Sequence, residues 1–338
     1  MTAERASTNR TRGSKRLVKL LFVHAHPDDE SIWTGGLIAA AARAGASVSV
    51  VTCTMGELGE VIGAPYQGLV ADEADQLGGF RVAELRSALR ALGANGPDNA
   101  PRFLGGAGRW RDSGMAGDKG NEHPRAFINS GDEAVEQLRT ILDELQPDLV
   151  ITYDADGGYG HPDHIRAHDI TVAACGNRFP TLWAVTDREA MAAGLDAITV
   201  VPEGWQACDV DDFATVTGQL EVQLDDAAVA AKVAAMRAHA TQVWFADGWV
   251  SEVNPDAAYG QADGSSRARA VWAFSNLLCQ PVTPTEAYRF GTVSAESLEA
   301  LGELVGLRLV EEPVEAPGAG NGRESDRGCG SAAKGEHG

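Results

Sequence analysis

Apolar positions along the chain fall into two alternating patterns. Short runs at 20–23 (LLFV), 47–53 (SVSVVTC) and 148–153 (DLVITY) have the length and branching of strands buried on both faces. Residues 102–104 add a shorter candidate strand, and 181–185 and 197–201 read as later ones. Between these runs, helical spacing predicts helices over 31–44, 71–92, 133–145 (stopped by Pro147), from His161 onward, and over 221–240. Strand and helix alternate, which is the order of parallel βαβ units. The expected fold is therefore α/β, a Rossmann-like, mostly parallel sheet with helices on both faces, plus a smaller C-terminal α+β lobe. Residues 1–15 read as a disordered arm, 16–185 as the core, 186–310 as the part completing a substrate cleft, and 311–338 as a disordered tail rich in Gly, Pro, Ser and Glu.

Two of the predicted strands end in the same chemistry. The first stops at His24-Ala25-His26-Pro27-Asp28-Asp29-Glu30, where Pro27 lacks an N–H and holds His26 extended, and Asp28, Asp29, Glu30 or Ser31 can cap the next helix. The strand at 148–153 runs into DADGGYGHPDH, which contains His161-Pro162-Asp163-His164. Strand ends of a parallel sheet share one edge, the edge where ligands bind, so the two turns can meet across more than a hundred residues. A His/Asp/His set with open coordination positions suits a catalytic zinc or ferrous ion, and the absence of cysteine argues against a purely structural zinc. The preferred ligands are His26, Asp29 and His164. Asp28, beside a ligand yet free of it, could act as general base, with His161 or Tyr159 donating to an oxyanion. That arrangement would hydrolyse an amide or an ester. GGAGR and GGYG lack the spacing of phosphate-binding loops.

Composition narrows the partners. A formal net charge of −20 argues against nucleic acid, and no apolar window of about 18 residues or more offers a membrane span. Cys53, Cys175, Cys208, Cys279 and Cys329 are scattered, with no CxxC pair, so neither a disulfide framework nor a zinc ribbon is expected. The basic start is followed by an apolar run that Lys19 and His24 interrupt, a poor signal peptide, and a cytoplasmic protein is expected. Self-association is left open. His24 is expected as a packed group or one bonded behind a ligand, His168 as an exposed helical histidine in preference to one that supplies a bond behind a ligand, and His239 as either a helix-end residue or one that closes the site. Glu57 and Glu60 could reach substrate or cap a turn.

AHPDDE together with GGYGHPDH resembles the LmbE-like family of zinc-dependent N-acetylglucosamine deacetylases. The similarity spans roughly residues 17–310 and includes HAHPDDES, GELGEVIG, ADQLGGFR, FLGGAGRWRDSGM and AHATQ; ADQLGG and GGAGRWRDSGM narrow it to the branch serving mycothiol biosynthesis. The resemblance implies one Zn2+ per chain, with Fe2+ equally suited to the donors, held by His26, Asp29 and His164. It implies that Asp28 activates water and returns the proton to the leaving amine, that His161 stabilises the oxyanion with Tyr159 as a mobile partner, and that Asp163 orients His161 and holds it as a cation. Arg81 and Asp112 match positions expected to grip sugar or inositol hydroxyls, although Arg81 also reads as a surface charge. The implied substrate is a small amino-sugar pseudo-disaccharide, N-acetyl-D-glucosaminyl-myo-inositol. The alternative is amide cleavage in mycothiol S-conjugates or in another N-acetylglucosamine derivative.

Overall fold

At the centre of the fold lies β1 (Lys19–His24), flanked in parallel by β2 (Ser47–Thr52) and β4 (Leu149–Tyr153). The computed structural model describes residues 17–310, so the expected arm at 1–15 and tail at 311–338 lie outside the described residues. Beyond β2 is the short β3 (Arg102–Phe103), and beyond β4 is β5 (Thr181–Val185), all parallel. Three later strands, β7 (Leu220–Gln223), β12 (Thr285–Phe290) and β13 (Gly306–Leu309), extend the same sheet in antiparallel fashion past β5. The eight-stranded order is β13-β7-β12-β5-β4-β1-β2-β3.

Residues of alternate parity along each strand enter opposite layers. Leu20, Phe22, Val48, Val50, Leu149 and Ile151 pack under α2 (Gly35–Arg43), α3 (Leu77–Leu92) and α8 (Asp226–Ala238). Leu21, Val23, Val51 and Val150 pack under α4 (Gly131–Leu145) and α6 (Pro162–Cys175), and Tyr153, at the end of β4, leaves the alternation and joins them. Helices therefore cover both faces, which is what the unbroken apolar runs demanded. Three shorter helices lie at the ends of strands: α1 (Asp29–Ile32) after β1, the kinked α5 (Gly157–Gly160) after β4, and α7 (Arg188–Asp196) after β5. The C-terminal part adds α9 (Ala295–Gly302), a ribbon of β6 (Ile198–Val200) with β9 (Gln261–Ala262), and a small sheet of β8 (Trp244–Phe245), β10 (Val271–Ala273) and β11 (Gln280–Pro281). Among the described residues, no helix is long and apolar enough to cross a membrane.

Three predicted helices are corrected. The one expected over 31–44 is split into α1 and α2, with Thr34 at a non-helical φ of −135° between them. The one expected over 71–92 starts only at Leu77, because Asp75 takes a left-handed φ of 52° and interrupts the regular backbone. The one expected over 221–240 begins only at Asp226, where the Asp225 carboxylate caps it by accepting the Ala228 N–H at 2.8 Å. Leu220 and Val222 alternate into the sheet as β7, hidden in the sequence by the helix-favouring alanines that follow. The strand expected at 197–201 exists as β6 but stands outside the main sheet.

One buried ion pair ties the late strands to the early helices. Glu286 on β12 accepts the Gly36 and Leu37 N–H groups at 2.7 and 2.9 Å, at the N-terminus of α2, where a helix favours negative charge. Lys232 of α8 donates to Glu286 at 2.6 Å and to the Ile32 carbonyl at 2.7 Å. Both side chains are buried. Glu286→Ala should destabilise the protein by about 3–5 kcal/mol, since it leaves Lys232 charged and unpaired. Equilibrium denaturant unfolding measures this; a loss within experimental error would show that the pair does not join the two halves.

Candidate active site

Because β1 and β4 pair in parallel, their last residues, His24 and Tyr153, finish at the same edge, and the turns that follow them converge. His26 Nδ1 lies 3.3 Å from His164 Nε2, His164 Nε2 lies 3.4 Å from Asp29 Oδ1, and His26 Nδ1 lies 3.5 Å from Asp29 Oδ2. A tetrahedral ion with bonds of about 2.0–2.2 Å separates its ligand atoms by about 3.3–3.6 Å. The triangle fits.

Hydrogen bonds set the tautomers that such a site needs. His164 Nδ1 faces the Gly157 carbonyl at 3.2 Å; a carbonyl only accepts, so Nδ1 carries the proton and Nε2 keeps its lone pair. His26 Nε2 faces Asp163 Oδ2 at 3.2 Å, which frees Nδ1. The Asp29 carboxylate is fixed by the Tyr153 hydroxyl at 2.7 Å and the His26 N–H at 2.8 Å. Burial alone would raise the pKa of Asp29, but His164 and His26 hold it well below the ordinary carboxylate range. Burial pushes His164 down to about 4. Burial likewise opposes a charge on His26, yet Asp112, Asp163 and Asp29 raise it well above its ordinary value. The cluster attracts positive charge, and a proton and a cation compete for the same lone pair.

Beside this triangle stands Asp28, at a φ of 110°. A non-glycine residue there stores strain of about 1–3 kcal/mol, held only where the surroundings enforce it. The strained turn sends the Asp28 carboxylate to Arg81 Nη2 at 3.1 Å while Asp29 points into the triangle. Burial raises the pKa of Asp28 to about 7 against the opposing pull of Arg81. Arg81 is 3% exposed, so the surface-charge reading is corrected: it also donates to the Gly56 carbonyl at 2.8 Å and to that of Pro27. The helical face that carries Arg81 is turned inward on the turn below it. Asp112 is buried too, accepting from the Gly114 N–H at 2.8 Å, with Oδ1 3.7 Å from His26 Nε2.

The expected pairing of Asp163 with His161 is also corrected. His161 caps α6, and its Nδ1 accepts the Asp163 backbone N–H at 3.1 Å. The Asp163 carboxylate points the other way, to His26 and to the Ser113 N–H at 3.0 Å. Neighbours at a helix start diverge, so the carboxylate does not make the pairing that the resemblance implied. Burial, with His26 and His164 nearby, lowers His161 to about 4, so it is neutral at pH 7, with its proton on Nε2. Another atom of the triad's surroundings comes from this residue, since His161 reaches within 4.8 Å of His26 and His164. Tyr159, half exposed, has its ring 5.9 Å from that of His161. It follows Gly158, whose φ of 75° and close approach to Trp33 leave no room for a Cβ.

Three further histidines among the described residues have structural partners. His24 bonds Thr34 at 2.9 Å and packs on Tyr153, as expected of a packed group. His168 is not an exposed helical histidine: it donates to the Tyr153 carbonyl at 2.9 Å and stacks edge-on with Trp183. His239 is fully buried against Glu30. Glu57 accepts the Asp112 N–H at 3.0 Å, while Glu60 lines the cavity. That cavity, about 610 Å³, opens from the triangle past Arg81, Asp112 and Gln242 toward Met236, Trp272 and Phe274 of the C-terminal part. Sequence reasoning missed Tyr153, because a tyrosine ending a buried strand looks like core packing.

The profile of the PIG-L family, described as GlcNAc-PI de-N-acetylase, matches residues 21–175. The chain is 57% identical over 276 residues to the 1D-myo-inositol 2-acetamido-2-deoxy-alpha-D-glucopyranoside deacetylase of Corynebacterium diphtheriae, covering 81% of this chain and 92% of the relative. It is 48% identical over 287 residues to the protein of the same name from Nocardia farcinica, covering 80% and 88%. Among solved structures it is similar to the N,N'-diacetylchitobiose deacetylase of Pyrococcus horikoshii, with a TM-score of 0.43 and 19% identity over 66% of this chain and 70% of that one.

Tyr153→Phe removes the hydroxyl that fixes Asp29. Metal affinity should fall about 10–100-fold, measured by competition with a chelator. Unchanged affinity would mean that Asp29 needs no such support.

Proposed function

Because the chain belongs to the PIG-L family of GlcNAc-PI de-N-acetylases, we propose that it hydrolyses the acetamide of 1D-myo-inositol 2-acetamido-2-deoxy-alpha-D-glucopyranoside, releasing acetate and the free amine for mycothiol biosynthesis. The observation that carries this reading is the triangle of two imidazole nitrogens and a carboxylate, 3.3–3.5 Å on each side, with a second buried carboxylate beside it. His26, Asp29 and His164 would hold one divalent cation, zinc or ferrous iron by their donor chemistry. When bound, that ion supplies a Lewis acid that polarises the amide carbonyl and acidifies water to a pKa of about 7.

The chain's own groups do the rest. Asp28, deprotonated, takes the proton of the attacking water and delivers it to the leaving nitrogen, so that water and amide become acetic acid and amine, which leave as acetate and ammonium. A pKa raised toward neutrality makes one carboxylate able to serve in both directions, and Arg81 keeps it turned away from the ligand position of Asp29. The neutral His161 offers its Nε2–H to the oxygen that gains charge, and Tyr159, whose ring stands 5.9 Å from that of His161, would be its partner on the same side. Arg81 and Asp112, on the cavity wall, are the groups proposed to meet substrate hydroxyls.

Acetate release from the named substrate, followed alongside metal content, tests this. Asp28→Asn should keep about one metal per chain and lose about 10²–10⁴-fold in turnover. Wild-type activity should fall on acidification, because the working form of Asp28 is the anion. With Asp28 raised to about 7 by burial, and a bound cation pulling it lower, the midpoint should lie at or below pH 7 and vanish in Asp28→Asn. Full activity in Asp28→Asn would rule out its part as the base.

A further inference from the structure

Glu30, the last residue of the first turn's acidic run, is fully buried and makes no contact within the metal triangle. One of its oxygens, Oε2, accepts the backbone N–H of Asp28 at 3.0 Å. The other, Oε1, accepts the Ser31 hydroxyl at 2.6 Å and faces His239 Nε2 at 2.7 Å. His239 is itself fully buried at the end of α8, 209 residues away along the chain. The carbonyl of Asp28 is held on the opposite side by the Ser31 and Ile32 N–H groups at 2.9 and 3.0 Å. Asp28 has the strained φ of 110°, and it is this backbone that separates its carboxylate from that of Asp29.

We propose that Glu30, clamped by His239, is a positioning residue for the deacetylation: its carboxylate holds the Asp28 N–H and so keeps the strained backbone that aims the Asp28 carboxylate. A carboxylate is required because one oxygen must accept from Asp28 while the other accepts from Ser31 and His239; a glutamine has a single acceptor oxygen. The C-terminal half thereby reaches the reacting carboxylate through two buried side chains. This inference rests on Asp28 acting as the base.

The test is a double-mutant cycle on the full-length, metal-loaded enzyme, with thermal unfolding and metal content recorded for every variant. Glu30→Gln should lower kcat about 10–100-fold, as a small misplacement of a reacting group does, with KM and metal content near wild type. In the Asp28→Asn background the same substitution should leave the residual kcat unchanged, because nothing remains to be aimed. His239→Leu, a second route to loosening Glu30, should show the same dependence on Asp28 should Glu30→Gln fail to fold. Equal losses in both backgrounds, no loss in either, or a loss matched by missing metal would each overturn the proposal. If instead Asp28→Asn alone keeps full turnover, the base assignment fails first, a result distinct from additivity between Glu30 and Asp28.

Discussion

Burying negative charge is the constraint around which this structure is arranged. Asp28, Asp29, Glu30, Asp112 and Asp163 all lie out of solvent within one edge of the sheet. Isolated, such groups would not stay ionised in an apolar interior. Each has a counterpart supplied from elsewhere in the chain: Arg81 of α3 for Asp28, Tyr153 of β4 and His164 of α6 for Asp29, His239 for Glu30, the Leu58 N–H with His26 for Asp112, and the Ser113 N–H with His26 for Asp163. The parallel sheet makes this feasible, because it delivers the ends of separate strands to one line.

Two neighbouring aspartates end up with opposite properties for the same reason. Asp29 sits among imidazoles and a tyrosine hydroxyl and remains ionised well below its ordinary range; Asp28 has one guanidinium against a deep burial and titrates near 7. The backbone reversal at Asp28 separates them. Two carboxylates of opposite character can therefore occupy consecutive positions, and the strain in the turn is the means of doing so. On the far side, Glu286 and Lys232 anchor β12 and α8 against α2, so the cavity is walled by both halves of the chain.

Much of this was legible in the sequence, and the reasons for the rest are specific. The runs at 20–23 and 148–153 announce buried parallel strands, and the polar turns that follow them must then share an edge; that placed His26 and His164 together although 138 residues separate them. The strand at Leu220–Gln223 was hidden because two alternating apolar residues carry little signal beside a long alanine-rich stretch. Arg81 read ambiguously because the polar face of a helix can also turn inward on a buried turn. The resemblance paired the Asp163 carboxylate with His161; at this helix start only its backbone N–H meets His161, and the carboxylate turns to His26. Tyr153 could be assigned only from pairing register, which carries its hydroxyl across to the Ala25 N–H at 2.9 Å and to Asp29.

The central claim is that His26 through Nδ1, His164 through Nε2 and Asp29 through its carboxylate share one ion. X-ray absorption at the metal edge of the loaded protein reads this directly. The account predicts two imidazole nitrogens at about 2.0–2.1 Å, with light oxygen scatterers at about 2.0–2.2 Å and no sulfur. A sulfur shell at about 2.3 Å, or a spectrum with a single imidazole, would contradict it.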